Sequence, residues 1–163
     1  MPPLQADERT TLESWLDFYR ATLATKCDGL TDDQLRTVSV PPSPLTLLGL
    51  VQHMAEVERN WFRRVLLGER VAPVFDPDAD PDGPDGGFDL REDVSVEKAR
   101  ATWESEVAQA RANCAGRELD QTSSFMGGQV TLRWIYNHMI AEYARHAGHA
   151  DLLRERIDGA TGV

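Results

Sequence analysis

The sequence predicts an all-α domain, an antiparallel four-helix bundle. Four stretches of about 20 residues carry apolar side chains three and four apart, the spacing that gives a helix one buried face. No segment reads as a strand of a regular sheet, and strands have room only near Ser39 or Phe125. Two sizeable connections separate the long segments, a layout that suits helices packed up and down around one core.

The first helix is expected from about Asp7 to Cys27, with Leu12, Trp15, Leu16, Tyr19 and Leu23 on its apolar face. Asp28-Gly29 closes it, glycine standing where a helix end favours a left-handed residue. Thr31-Asp32-Asp33-Gln34 has the capping-box pattern and predicts a short turn of helix. The run from Val40 to Pro44 is expected to be extended, because each proline pushes the residue before it out of the helical region. The second helix begins around Ser43 to Thr46 and ends at Leu67-Gly68. Leu47, Leu50, Met54, Trp61 and Val65 form its stripe, with Val57 alongside and His53 on the flank.

Residues 69–94 form a long connection rich in Asp, Pro and Gly. Asp78, Asp80, Asp82, Gly83 and Asp89 follow the spacing of a calcium-binding EF-hand loop. Asp89 stands where the bidentate Glu belongs, Pro81 and Pro84 interrupt the loop, and no helix leads into it. A solvated, mobile loop without a tight calcium site is therefore expected. Ser95 caps the third helix, whose face of Val96, Trp103 and Val107 runs to Cys114 and Gly116. A second connection, residues 117–130, contains Ser123-Ser124-Phe125-Met126-Gly127-Gly128. Thr131 caps the last helix, and Gly159 ends it.

At 163 residues the chain suits one domain, 1–163, able to bury a core without disulfides. The formal net charge of −10, with arginines interspersed among acids, argues against nucleic acid and anionic membranes as partners. No apolar run approaches the ~20 residues of a membrane span, and the N-terminal MPPLQADER lacks the pattern of a signal peptide, so a cytoplasmic location is expected. Cys27 and Cys114 form no CxxC pair and read as small buried hydrophobes in a reducing compartment.

The chemistry concentrates on the last helix. At ~100° per residue, His138, Glu142, His146 and His149 fall within an arc of roughly 80°, shared by the apolar Ile135 and Leu153. Imidazoles and a carboxylate on a core-facing stripe need partners, since burying unpaired polar groups costs several kcal/mol. A metal ion would satisfy them together. His138 with Glu142, Glu142 with His146, and His146 with His149 are each spaced to share an ion from one helix face.

Residues 46–62, TLLGLVQHMAEVERNWF, and residues 138–159, HMIAEYARHAGHADLLRERIDG, resemble the DinB/YfiT-like superfamily of metal-binding four-helix bundles. The likeness covers almost the whole chain. It implies one His ligand from the second helix, where only His53 is available, and two ligands four apart on the last. Many relatives read His-x-x-x-His-Arg-Gly-Gln there. Aligning His146-Ala147-Gly148-His149 with His-Arg-Gly-Gln puts Glu142 in the place of the first His. That substitution has a parallel in the metal-binding domain of mycothiol-dependent maleylpyruvate isomerase, whose resemblance implies a His53, Glu142, His146 set. His138 and His149 are placed beside that set to orient Glu142 or handle a proton.

Two imidazoles and one carboxylate, with other positions open, are a catalytic rather than a structural zinc pattern. Nickel or iron would accept the same ligands. The resemblance implies a thiol-dependent, mycothiol-type S-transferase or isomerase acting on a small-molecule thiol or electrophilic substrate, with a homodimer within the family's range. A metal-dependent hydrolase and a non-catalytic metal-binding or stress-response protein are the competing readings, because one fold hosts many functions.

Overall fold

A computed structural model of the chain describes residues 1–75, 86, 88–90 and 93–162. Helix dominates, in the order α1 (Glu8–Cys27), α2 (Asp32–Leu35), α3 (Leu47–Arg59) running into a π-helical turn (Asn60–Val65), α4 (Val96–Cys114), β1 (Thr122–Phe125), β2 (Gly128–Thr131) and α5 (Leu132–Asp158). Two compact units contain these elements: Met1–Leu47 with Arg133–Val163, and Leu48–Leu132.

In the first unit, α1 starts where the Asp7 carboxylate accepts from the Thr10 N–H at 2.9 Å and from the Thr10 hydroxyl at 2.7 Å. These bonds satisfy donors that the first helical turn leaves open. They also hold the Asp7 carboxyl below the usual carboxylate range, the backbone N–H first and the hydroxyl second. A carboxylate lowered in this way stabilises the fold fully above its unfolded pKa, and the contribution is lost as pH falls through the lower folded value. Asp7→Ala should therefore lower the unfolding midpoint at neutral pH, and the gap from the unaltered protein should close in acid. A gap that persists at acid pH would show that the cap bonds are not its cause.

The α2 turn carries the reciprocal capping box of Thr31 and Gln34 that its sequence predicts. Between α2 and α3 the chain is not extended throughout, because Ser43 N–H donates to the Val40 carbonyl and closes a turn. At the far end of α5, Gly159 takes φ +79°, and its N–H reaches the Glu155 carbonyl at 2.9 Å.

Side chains join α1 to α5 in lockstep. Arg133 pairs with Glu8 at 2.6 Å, and the Tyr136 hydroxyl donates to Glu13 at 3.0 Å. The Arg20 guanidinium lies over the Tyr143 ring at 6.0 Å, and Asp151 pairs with the buried Lys26 at 2.7 Å. Start meets start and end meets end, so α1 and α5 run in the same direction. A strictly alternating up-and-down order would set the first and last of four helices antiparallel, and that expectation fails for this pair. Leu12, Leu16 and Leu23 of α1 are buried, whereas Trp15 is 38 % exposed and belongs to a surface ladder of rings with Phe18 and Tyr19.

In the second unit, every position of α3 from Leu50 to Glu58 is buried, including Gln52, His53, Glu56 and Glu58. His53 is thus a buried residue and not one on the flank of a stripe. Beyond Arg59 the helix widens into the π-helical turn, and partners from other elements occupy one carbonyl in it and one just after it. Asn113 of α4 donates to Phe62 O at 3.0 Å, and the Ser123 hydroxyl to Leu66 O at 2.8 Å. Helix α4 is capped by Ser95, as its sequence predicts, and presents Ala99, Trp103, Val107, Ala110 and Cys114 as its buried side.

The connection before α5 holds an antiparallel hairpin, Thr122 opposite Thr131 through Phe125 opposite Gly128. Met126 and Gly127 form its two-residue turn with φ of +48° and +76°. Positive φ at both central positions matches the strand twist, but Met has no intrinsic preference for that region, so the turn carries a weak sequence signal. Phe125 packs against Trp61 with ring centroids 5.1 Å apart.

Asp78, Asp80, Asp82 and Gly83 of the EF-hand-like pattern lie outside the described residues, and Asp89 is exposed. The acidic connection is anchored where it is described. Phe75 and Val94 are buried, and the Glu56 carboxylate accepts from Val74 N–H while Arg59 and Arg64 donate to the carbonyls of Ala72 and Val71. Among the described residues, no helix is long and apolar enough to cross a membrane.

Candidate metal centre

Glu142 is the hub of the polar stripe on α5. Its two oxygens face different neighbours. Oε1 lies 3.2 Å from the Arg145 guanidinium and 3.9 Å from His138 Nε2, whereas Oε2 lies 3.5 Å from His146 Nε2. Arg145, largely exposed, thus holds one oxygen towards solvent and leaves the other to the buried His146. Arg145 is not among the sequence-predicted site residues, although its position three residues after Glu142 is the helical spacing for such a pair.

His149 meets His146 and not Glu142. Their Nδ1 atoms are 3.3 Å apart, so one ring donates and the other accepts. A donor on His146 Nδ1 leaves the lone pair of that ring on Nε2, the atom that faces Glu142. His138 is half-buried, with its ring stacked on Trp134 at 5.0 Å and 7° between planes.

On α3, His53 Nδ1 lies 2.8 Å from the Gly86 carbonyl, and its ring stacks on Phe88 with centroids 3.9 Å apart and 18° between planes. Both partners belong to the acidic connection, so that connection is not simply a solvated loop where it is described. Neither contact has a spacing signature, because 33 residues separate His53 from Gly86.

Among the described residues, His53, Glu142 and His146 form a group that could hold a metal ion, with one ligand atom of each within 4.8 Å of the others. His138 and His149 are not part of that group. Ligands at about 2.1 Å from a tetrahedral ion stand roughly 3.4 Å apart. The 3.5 Å between Glu142 Oε2 and His146 Nε2 agrees with such an edge and is long for a direct hydrogen bond. Two imidazoles with a carboxylate are also the donor types that zinc, nickel and iron accept. The residues fit a divalent ion.

Among curated proteins, none matches the chain. The sequence does match the mycothiol-S-transferase family over residues 11–159, which takes in α2, α3, α4, the hairpin, nearly all of α1 and the whole α5 stripe. A match of that extent shows that the chain belongs to the mycothiol-S-transferase family, a DinB-like family.

Proposed function

We propose that this protein is a divalent-metal-dependent S-transferase or isomerase that uses a low-molecular-weight thiol of the mycothiol type. The proposed ligands are His53, Glu142 and His146, and zinc is the proposed ion. The single observation that carries the reading is the approach of those three donors within 4.8 Å in a chain of the mycothiol-S-transferase family. The same reading takes the chain as one DinB-like four-helix-bundle domain.

With two neutral imidazoles and one carboxylate around a doubly charged ion, the centre has a net charge near +1, which favours an anionic thiolate. When bound, the ion supplies Lewis acidity that keeps a thiol deprotonated at neutral pH. The remaining tasks fall to the chain. His149 accepts from His146 Nδ1 and so directs the His146 lone pair to Nε2. Arg145 holds Glu142 Oε1, turning Oε2 towards His146. His138, stacked on Trp134 beside Glu142, is the group proposed to take the thiol proton on Nε2 and release it to solvent.

Isothermal titration of mycothiol into zinc-loaded and metal-stripped protein tests the reading. Saturable binding is expected only with zinc, together with proton release on binding at pH 7. Binding of equal strength without the metal, or none with it, would count against a metal-dependent thiol enzyme.

A further inference from the structure

We infer that Phe88 and the Gly86 carbonyl are positioning groups for His53: they fix its imidazole in one plane and one tautomer, with the lone pair on Nε2. The inference rests on the proposed role of His53 as a ligand and adds the part of the chain that orients it.

A carbonyl oxygen can only accept. The 2.8 Å contact between His53 Nδ1 and Gly86 O therefore requires the proton on Nδ1. In a neutral imidazole that leaves Nε2 as the nitrogen able to bind a metal, and a second partner on the other nitrogen is the usual way a ligating histidine is oriented. This acceptor comes from outside α3, 33 residues along the chain. Gly86 provides it from the acidic connection.

Phe88 restrains the remaining motion. Its ring lies nearly parallel to the imidazole at 3.9 Å, so rotating the His53 ring out of plane would break the stack and the Gly86 bond together. His53 is 4 % exposed, and Phe88 is half-buried over it. Linkage makes the effect reciprocal: what favours the ligating orientation of His53 favours metal binding, and a bound ion favours the docked position of Phe88 by the same factor.

Zinc affinity of the full chain, measured by competition with a chromophoric chelator, tests the inference through five proteins. Phe88→Ala should bind zinc 10- to 100-fold more weakly than the unaltered chain, the range for losing a partner that orients a ligand. Its helical circular dichroism should be unchanged. Phe88→Tyr keeps the stacking face and should restore the affinity. Gly86→Ala should match the unaltered chain, because the acceptor is main-chain and a Cβ at Gly86 meets nothing within 4 Å. Nitrogen-15 spectra of the metal-free protein should show His53 protonated on Nδ1. Unaltered affinity in Phe88→Ala, or a proton on Nε2, would overturn the inference. The fifth protein separates this failure from that of the functional reading. If His53→Ala retains zinc at unaltered affinity, the ligand assignment itself is wrong. If His53→Ala loses zinc while Phe88→Ala keeps it, only the role of Phe88 fails.

Discussion

Glu142→Ala and His146→Ala should each leave dialysis largely free of metal, while His149→Ala retains its ion with affinity reduced by about 10- to 100-fold. The asymmetry follows from the geometry on α5. Glu142 and His146 present Oε2 and Nε2 to each other at 3.5 Å, whereas His149 meets the far side of the His146 ring, Nδ1 to Nδ1 at 3.3 Å. In the proposed ligand set, losing Glu142 or His146 would remove a bond to the ion. Losing His149 only frees the His146 tautomer and the plane of its ring. Metal content after dialysis, measured by elemental analysis, reads the difference directly. If His149→Ala comes out empty and Glu142→Ala comes out loaded, the ligand set is His53, His146 and His149, and Glu142 has another task.

The largest effect on stability is expected at Glu56. Its carboxylate pairs with Arg64 at 2.7 Å and accepts from Val74 N–H at 2.5 Å, and both charged side chains are nearly buried, 7 % and 12 % exposed. Removing one member of such a pair leaves the other charge buried without compensation, which costs about 3–5 kcal/mol. Glu56→Ala should therefore lower the unfolding midpoint by roughly 10 °C, at ~2–4 °C per kcal/mol for a chain of this size. It should also loosen the segment after the π-helical turn, which Glu56 holds through Val74. Glu56→Met with Arg64→Met replaces both charges by apolar groups of similar length and should recover most of the loss. A single variant within about 1 kcal/mol of the unaltered protein would show that Arg64 regains water on losing its partner, as an exposed pair does.

Several bonds between neighbours a few residues apart were legible in the sequence, although the Val40–Ser43 turn and the Glu142–Arg145 pair were not. Thr31 with Gln34, Ser95 with Lys98 and Gly159 with Glu155 are bonds closed within one turn, and residue type points to them. The α5 stripe was legible for the same reason, since 100° per residue places Glu142 beside His146 whatever surrounds the helix. Tertiary structure decided the rest. The hairpin turn at Met126 uses a backbone region its side chain does not favour, and Asn113 and Ser123 hold a carbonyl in the π-helical turn and one just after it, from 51 and 57 positions away. The common direction of α1 and α5 rests on Arg133 meeting Glu8 across 125 residues, and no local pattern encodes it. His53 took its partners from the acidic connection, where compositional bias points only to solvation. Local rules name the residue that can bind an ion. The partner of His53 Nδ1 is a carbonyl 33 positions along the chain, and only folding brings that carbonyl near.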